Sequence, residues 1–293
     1  MNPALVGALV SRTVELTGLI ERHRNELSPA ERRVADVVLR DPEMVAFGTV
    51  ATVAVQAATS GASVVRLASR LGLDGFSALQ AMVQGQLSRQ LRPATERIRQ
   101  PGPVDVVGQV LAAELDNVHV TLDRVDRAGF ERAVSALADD KARVLLASGD
   151  ASAGVLQQFA AELAMLRDGV VLLDGSEVAV ARRAATVGPD DVAVVLDLRR
   201  YDRAVMALAR RVAAAGATVV ALTDRTLSPL AAVADITFVV SATGVGPFDS
   251  YVGALALLNA ITAEVAARLR SSATERLDRI EADWSSIGAL VDD

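Results

Sequence analysis

The stretch Thr49–Leu71, TVATVAVQAATSGASVVRLASRL, predicts two short helices joined by a tight turn. In the second helix, apolar residues recur at i, i+3, i+4 and i+7 and so form one stripe that faces a core. This stripe consists of Val64, Leu67, Ala68 and Leu71. Ser60 stands where the second helix begins, and we expect its hydroxyl to accept a hydrogen bond from an unpaired backbone N–H.

A different face of the second helix has the residue types of a DNA reader. Ser63, Arg66 and Arg70 are spaced by three and four residues and are expected to share an outward face. Small residues at the helix start would approach a groove floor closely, while the two arginines meet phosphates. The predicted DNA contacts are Ser60, Ala62, Ser63, Arg66 and Arg70. An ordinary surface helix with two solvated arginines has the same spacing, so the pattern alone leaves both interpretations open.

Size and composition allow two domains and exclude several kinds of chemistry. At 293 residues the chain is long enough for two domains, since one domain holds roughly 100 to 200 residues. The absence of cysteine excludes disulfides, thiol nucleophiles and thiolate metal sites. His23 and His119 are the only histidines, too few for a histidine-rich metal site or an obvious Ser-His-Asp triad. We therefore expect no metal site and no catalytic residues.

The net charge of −6 is unevenly distributed. Residues 1–92 carry ten arginines and eight acidic residues, a balance of +2, whereas residues 93–293 carry 20 basic and 28 acidic residues, a balance of −8. The weakly basic first segment permits DNA binding without demanding it. No signal peptide is recognisable, and the longest apolar run, Tyr251–Ala263, is shorter than the roughly 20 residues of a membrane span. We expect a soluble, cytoplasmic protein with no membrane contact.

Residues 1–92 are predicted to form an all-α domain of five helices. The first covers residues 5–24, and the second begins with a capping box at Ser28 and stops before Asp41. The two helices of Thr49–Leu71 follow, with Gly72 suited to a left-handed C-cap, and Phe76–Arg92 forms the fifth. Residues 93–125 are assigned to a proline-rich linker and a connecting helix.

From residue 126 the pattern predicts an α/β domain that extends to residue 270, followed by a helical tail over residues 271–293. Short, mostly β-branched apolar runs alternate there with helical stretches, as in a parallel sheet that is covered on both faces. The expected strands are Val144–Ser148, Val170–Leu173, Val192–Leu198, Thr218–Thr223 and Ile236–Val240. The fold class is therefore an all-α helix-turn-helix domain followed by a doubly wound α/β domain with a five-stranded parallel sheet.

The loops after the first, third and fourth of these strands are the candidate ligand site, because open parallel sheets bind ligands at the carboxyl ends of their strands. The candidate effector-binding residues are Ser148, Asp150, Ser152, Asp197, Arg199, Arg200, Asp202 and Thr223. The first loop lacks the dinucleotide glycine pattern, so no nucleotide cofactor is expected. A solvated loop with an internal Arg–Asp pair, or helix capping alone, would also account for these residues.

Several stretches together resemble the RpiR family of bacterial transcription regulators, over nearly the whole chain. They are LSPAERRVADVVLRDP (Leu27–Pro42), VAFGTVATVAVQAATSGASVVRLASRLGLDGFSAL (Val45–Leu79), DVAVVLDL (Asp191–Leu198) and GATVVALTDRTLSPLAAVAD (Gly216–Asp235). The pattern of Ser60, Ser63, Val64, Arg66, Leu71 and Gly72 is fairly specific. The resemblance implies an N-terminal helix-turn-helix domain that reads paired half-sites as a dimer. It also implies a C-terminal SIS (sugar isomerase) domain that usually senses a sugar phosphate.

The chain departs from the family pattern at two places. Ala58 stands where the turn usually carries glycine. The Ser-x-Ser-Gly-x-Thr loop of typical SIS domains is replaced, and the aligned positions are Asp197, Arg199, Arg200 and Asp202. With Asp150 added, three carboxylates would surround two arginines, which disfavours a phosphate dianion. A carboxylate, an amine-bearing metabolite or a neutral sugar is as reasonable an effector.

These observations predict a ligand-responsive transcription regulator that has no enzymatic activity. Its expected partners are double-stranded operator DNA, a small-molecule effector such as a sugar phosphate or related carbohydrate derivative, and further copies of itself in a homodimer or homotetramer. Two alternatives remain open. One is a SIS-domain sugar-phosphate isomerase, and the other is a metabolite sensor that does not bind DNA.

Overall fold

The computed structural model describes residues 16–91, 93–99, 102, 104–226 and 228–290. Its contacts divide the chain into two compact units, Met1–Pro93 and Ala94–Asp293. Residues 5–15 of the predicted first helix lie outside the described part of the chain.

The described residues of the first unit form helices only. They are α1 (Leu16–His23), α2 (Pro29–Arg40), α3 (Pro42–Phe47), α4 (Val50–Gln56), α5 (Gly61–Arg70) and α6 (Gly75–Leu91). The capping box that begins α2 is confirmed, since the Ser28 hydroxyl accepts from the Glu31 N–H and the Glu31 carboxylate accepts from the Ser28 N–H. The apolar stripe of α5 is also confirmed, because Val64, Leu67 and Ala68 are fully buried.

Helix α3 is absent from the sequence prediction, which treated Asp41-Pro42 only as a stop. Asp41 ends α2 and also begins α3, since its carboxylate accepts a hydrogen bond from the Met44 N–H at 3.0 Å. Pro42 occupies the first helical position, where its missing N–H costs nothing. The same two residues therefore end one helix and start the next, and the prediction of five helices was wrong by one.

The second unit combines helices with a sheet. Its helices are α7 (Ala94–Arg97), α8 (Val106–Asp123), α9 (Arg127–Ala138), α10 (Ala153–Leu166), α11 (Glu177–Ala184), α12 (Arg203–Ala214), α13 (Val252–Arg268) and α14 (Arg270–Ile287). Its strands are β1 (Val144–Ser148), β2 (Val170–Leu172), β3 (Val192–Leu196), β4 (Thr218–Thr223) and β5 (Ile236–Val239). Three of the predicted strands end one or two residues earlier than expected.

The five strands form one parallel sheet in the order β2-β1-β3-β4-β5, which confirms the predicted sheet. One face packs against α10 and α13, with Phe159 and Leu257 in a core that includes alternate residues of β3. The other face packs against α12, whose Met206 and Ala209 contact the intervening residues of β3. Because both faces are covered, the strands are mostly apolar, as expected of a doubly wound sheet. The strand order runs from β1 to β2 on one side and from β1 to β3 on the other, so the carboxyl ends of β1 and β3 flank the crevice where such sheets bind ligands.

Helix α8 packs along α13 and anchors the loop that follows β5. The side chain of Asn117, which is fully buried, accepts hydrogen bonds from the Thr243 N–H and the Ser241 hydroxyl at 2.9 Å. It donates to the Thr243 carbonyl and the Glu114 carboxylate, also at 2.9 Å. Within the described residues, no single helix is long and apolar enough to cross a membrane. Two consecutive pairs, α4 with α5 and α13 with α14, pass that test only when combined, and are bent by 99° and 101°.

Candidate nucleic-acid interface and effector site

Helices α4 and α5 have the geometry of a DNA-reading helix pair. They are bent by 99° relative to each other and are joined by the four residues 57–60. Helix-turn-helix motifs join their two helices at about 90–120° through a short turn. The pair rests on α2 and α6, both of which contact α5.

The turn is closed by a left-handed residue that is not glycine. Ala58 has a φ of 46°. The Thr59 N–H donates to the Ala54 carbonyl and the Ala58 N–H donates to the Val55 carbonyl, which is the hydrogen-bond pattern of a Schellman motif. Arg33 of α2 donates to the carbonyls of Ala57 and Ala58 from outside. The position that usually carries glycine thus keeps the glycine conformation, although the residue is alanine.

At the start of α5, one predicted DNA contact, Ser60, lacks its expected capping bond although it is exposed, and another, Ser63, is placed differently. Ser60 is the residue before the helix, but its side chain makes no capping bond, and its hydroxyl instead lies 3.2 Å from the Ser63 hydroxyl. Ser63 is buried, with 2% of its surface exposed, whereas the spacing had placed it outward. The packing of α5 against α2 and α4 covers a wider face than the four-residue stripe indicated. The Ser63 hydroxyl accepts a hydrogen bond from the Arg66 guanidinium at 2.8 Å.

The remaining predicted contacts lie on the exposed face. Ala62, Arg66 and Arg70 are exposed, and they are joined there by Val65 and Ser69. A carboxylate lies below this face, because Glu31 of α2 is buried. The Ser28 N–H holds the pKa of Glu31 below its usual value, and the charges of Arg70 and Arg66 lower it further. Sequence reasoning missed Glu31 and Arg33 as supports of this helix pair, since neither belongs to its stretch.

The loops after β1 and β3 meet at the carboxyl edge of the sheet. Gly149 lies so close to Asp197 that a Cβ at residue 149 would be 2.8 Å from the Asp197 Oδ1. The Ser152 hydroxyl is buried and donates to the backbone carbonyls of Gly149 and Leu196. Ser152 therefore ties the two loops together through the backbone, and its hydroxyl points away from solvent.

Two carboxylates of the β3 loop serve its own fold. Asp202 caps α12, where its Oδ1 accepts from the Ala204 N–H at 2.7 Å. Asp197 is buried and accepts from the Asp202 N–H at 2.8 Å. Burial raises the pKa of Asp197 to about 6, and the negative charges of Asp202 and Asp224 act in the same direction.

The first arginine of the loop is buried among carboxylates. Arg199 has only 6% of its side chain exposed, and its Nε lies 3.9 Å from Asp224. Asp224 also accepts hydrogen bonds from the Arg199 N–H at 3.2 Å and from the Tyr201 hydroxyl at 2.5 Å, and it pairs with Arg225 at 3.3 Å. Burial and this bond to Asp224 raise the pKa of Tyr201 to about 12.

A second carboxylate holds Arg199 from the loop after β5. The Oδ1 of Asp249 lies 3.5 Å from the Arg199 Nη1 and accepts a hydrogen bond from the Arg97 Nη1 at 2.7 Å. Tyr251 adjoins the pair, and its pKa is raised to about 12, first by burial and then by the charges of Asp249 and Asp197. Sequence reasoning missed Asp224, Asp249 and Arg97. Arg97 and Asp249 are separated by 152 residues, which no local pattern reports.

The other candidate residues are divided between surface and interior. Arg200 and Asp150 are exposed, Ser148 is partly buried, and Thr223 is fully buried at the end of β4. Arg200 has a φ of 63°, so the loop holds a non-glycine residue in the left-handed region beside the crevice. In the described part of the chain, no group of three or more histidine, aspartate or glutamate side chains could hold a metal ion.

Family models match both units. The model of the helix-turn-helix domain of the rpiR family matches residues 14–90, and the model of the SIS domain matches residues 136–263. The chain belongs to the RpiR family. The predicted fold class is thereby supported at both ends of the chain, with the DNA-reading helix pair inside the first match and the carboxyl-edge loops inside the second.

Proteins similar in sequence to this chain are named as transcriptional regulators. A regulator of Bacillus subtilis named YbbH is 26% identical over 221 residues, covering 74% of this chain and 77% of that protein. YfhH of Escherichia coli is 26% identical over 216 residues, covering 72% and 76%. Both are named HTH-type transcriptional regulators, and neither has a characterised function in its name.

Solved structures agree with this RpiR-family fold. The sugar isomerase domain of an RpiR transcription factor from Sphaerobacter thermophilus is 29% identical, with a TM-score of 0.56, and covers 60% of this chain and 98% of that one. The NanR protein of Vibrio vulnificus, solved with ManNAc-6P, is 21% identical with a TM-score of 0.56, and covers 94% and 99%. At that identity the second likeness shows the fold alone.

Proposed function

We propose that this RpiR-family chain is a transcription regulator that inserts the start of α5 into the major groove of operator DNA. The single observation that carries this is the exposed face of α5, where Ala62, Arg66 and Arg70 stand on a helix bent by 99° from α4. Small residues at the entering end and arginines behind it are the arrangement that reads bases and grips phosphates.

Fluorescence anisotropy with labelled DNA from upstream of the protein's own gene tests this proposal. If Arg66 and Arg70 contact bases, Arg66→Ala and Arg70→Ala should each weaken specific DNA binding by about 1–3 kcal/mol. If they contact phosphates, each substitution should reduce the slope of log affinity against log salt concentration by about one. Arg279→Ala is the matched control, because Arg279 is an exposed helical arginine of the second unit. Wild-type affinity in both α5 variants would show that α5 is not the reader.

We further propose that the SIS-like unit senses a small carbohydrate derivative at the crevice between the loops after β1 and β3. The hydroxyl-rich phosphate loop of typical SIS domains is replaced here by Asp197, Arg199 and Arg200. The Ser152 hydroxyl is engaged with backbone carbonyls, which leaves no outward hydroxyl from that residue to wrap a phosphoryl group. These contacts favour an effector that is not a sugar phosphate bound through serine and threonine hydroxyls.

Isothermal titration with N-acetylmannosamine and its 6-phosphate compares the two effector classes on one sugar. Neither sugar needs to be the physiological effector, since the comparison concerns the phosphoryl group. The proposal predicts that the phosphate adds no affinity in the wild type. Tight binding of the phosphorylated sugar that is abolished by Ser152→Ala would contradict it.

We propose in addition that the chain self-associates through α8. Val107, Leu111 and Leu115 follow one another at intervals of four residues and expose 80%, 61% and 64% of their surface. A contiguous apolar stripe on a helix marks an interaction surface, and a dimer is the commonest assembly that covers one. Dimerisation would present two copies of α5 to paired half-sites.

A regulator without catalysis is favoured over an isomerase. His119 lies on α8 and pairs with Asp123 at 3.4 Å, and His23 lies in the first unit. Neither histidine belongs to the loops after β1, β3 or β4, so neither can transfer a proton to a ligand at that edge of the sheet. Turnover of a ketose or aldose phosphate by the purified protein would refute this part of the proposal.

A further inference from the structure

Asp249 pairs with two arginines in the second unit. Its carboxylate lies between two guanidinium groups, 2.7 Å from the Arg97 Nη1 and 3.5 Å from the Arg199 Nη1. All three side chains are largely buried, with 18%, 16% and 6% exposed for Arg97, Asp249 and Arg199. Two converging guanidinium groups are the usual binding partners of a carboxylate or a phosphoryl group.

The carboxylate is held in place by the fold. Asp249 belongs to the loop between β5 and α13, and its neighbour Ser250 donates to the Glu114 carboxylate at 2.6 Å. The same loop is bonded to Asn117 of α8 at Ser241 and Thr243. At Gly244 the loop is so tight that a Cβ would lie only 1.9 Å from the Phe248 carbonyl oxygen. Because the loop is anchored at both ends, Asp249 cannot move away from the arginines without breaking these contacts.

The other side of Arg199 is also occupied by a carboxylate. Asp224 faces its Nε at 3.9 Å and accepts its backbone N–H at 3.2 Å. An anion that approaches Arg199 therefore meets like charge from two directions. Like charges repel strongly at such short range, because a partly buried pair is poorly screened by solvent.

We infer that Asp249 is a specificity-determining residue of the effector site, a resident carboxylate that excludes phosphoryl and other anionic groups from the Arg97–Arg199 pair. This inference rests on the proposed effector site and names what that site rejects. Specificity built from repulsion against the unwanted ligand is a general device of recognition. Removing the carboxylate while keeping both arginines should convert the place into an anion site.

Isothermal titration of the full-length protein with inorganic phosphate, in a buffer free of other multivalent anions, tests the inference. Asp249→Asn keeps an oxygen that accepts from Arg97, and it should bind phosphate at least about tenfold more tightly than the wild type. Asp174→Asn is the matched control, because Asp174 pairs with Arg183 at 3.1 Å beside the end of β2, outside this cluster. It should leave phosphate affinity unchanged, and Asp249→Asn/Arg199→Gln should lose the gain.

An unchanged phosphate affinity in Asp249→Asn would overturn the inference, and so would a gain that survives the removal of Arg199. A measurement on Arg199→Gln alone remains decisive if Asp249→Asn does not fold. Since Asp249 already blocks the arginines in the wild type, Arg199→Gln should not weaken phosphate binding, and a clear loss would show that Arg199 is open to anions. The effector site itself is tested by titration of the wild type with N-acetylmannosamine and its 6-phosphate, so a failure there is distinct from a failure of these phosphate titrations of the variants.

Discussion

The turn of the helix-turn-helix offers a stability prediction of defined sign, the substitution Ala58→Gly. Ala58 has a φ of 46°, in the left-handed region, which costs an L-residue other than glycine roughly 1–2 kcal/mol. Glycine removes this cost but loses about 0.5–1 kcal/mol more backbone entropy on folding than alanine does. The Ala58 side chain is exposed, so the lost methyl group takes little buried contact with it. The two ranges differ by about 0–1.5 kcal/mol, and their midpoints give a net stabilisation of about 0.75 kcal/mol.

The end of α5 supplies a matched control within the same unit. Gly72 has a φ of 76° and closes an equivalent Schellman motif, in which the Leu73 N–H donates to Ala68 and the Gly72 N–H donates to Ser69. A Cβ at Gly72 would meet nothing within 4 Å, so Gly72→Ala changes backbone energy without a clash. The two substitutions exchange the same residue types in the same motif. Gly72→Ala should therefore destabilise by about 0.5–1 kcal/mol, with the opposite sign to Ala58→Gly.

Hydrogen exchange followed by mass spectrometry on the full chain measures this difference where it arises. The single tryptophan, Trp284, lies in α14 of the second unit, so its fluorescence does not follow the first unit. Amides of α4 and α5 that exchange by unfolding of the unit should slow about two- to fivefold in Ala58→Gly and accelerate by a similar factor in Gly72→Ala. If Gly72→Ala accelerates exchange while Ala58→Gly has no effect or the same effect, the left-handed conformation of Ala58 does not cost what we infer.

Three further predictions concern the second unit. Asp197 should make its unit less stable as pH rises, because its pKa is about 6 when folded and near 3.8 when unfolded, so the folded state binds the extra proton between these values. The free energy of unfolding of the wild type relative to Asp197→Asn should therefore fall by about 2–3 kcal/mol between pH 4 and pH 7. Urea titrations followed by Trp284 fluorescence measure this free energy. If it differs between the two proteins by the same amount at every pH, the pKa of Asp197 is not raised. Asn117→Ala removes a fully buried side chain that is hydrogen-bonded to Glu114, Ser241 and Thr243. It should lower the free energy of unfolding by about 2–4 kcal/mol in the same assay. A decrease below about 1 kcal/mol would show that water replaces these hydrogen bonds. Leu111→Glu combined with Leu115→Glu should lower the molar mass measured by light scattering to that of a monomer. The control Val178→Glu changes an apolar residue of α11 that is 79% exposed, and it should leave the mass unchanged. An unchanged mass in the double variant would exclude the α8 stripe as the interface.

The fold was largely predictable because both units follow strong periodicities. The stripe of α5 and the apolar runs of the strands are local signals, and they correspond to buried residues in α5, β1, β3, β4 and β5, whereas the edge strand β2 is only partly buried. The failure at α3 has a local cause too, since Asp41-Pro42 is both a stop and a start signal, and only the first meaning was used. Ser63 was misplaced for a different reason. A polar residue beside an apolar stripe is buried when neighbouring helices pack from two sides, which the stripe itself does not reveal.

The candidate effector site was predictable in place but less so in its contents. The loops after β1 and β3 could be located because alternating strands and helices predict a parallel sheet, whose carboxyl ends all lie at one edge. The partners of Arg199 could not be, because Asp224 and Asp249 follow other strands and Arg97 precedes the sheet altogether. Such contacts depend on how loops converge at one edge, which is a property of the assembled sheet.

These partners change the electrostatic argument about the effector. The sequence count placed three carboxylates, Asp150, Asp197 and Asp202, around two arginines and gave about −1. In the structure Asp202 is engaged as a helix cap and Asp150 is exposed, while Asp224 and Asp249 join the cluster together with two more guanidinium groups, from Arg97 and Arg225.

The buried cluster therefore contains three carboxylates and three guanidinium groups, from Asp197, Asp224, Asp249, Arg97, Arg199 and Arg225. Its charges are balanced, so a ligand does not enter a field of one sign. An anionic group that reaches Arg199 must instead replace a carboxylate that already pairs with Arg199. The affinity for that group then depends on the difference between its contacts with Arg199 and those of the carboxylate it displaces. A neutral group avoids this exchange, because it can bind beside the ion pairs without breaking them. Under the proposed exclusion of phosphate, the arrangement would thus select by the cost of displacement, while the arginines stay at the ligand edge.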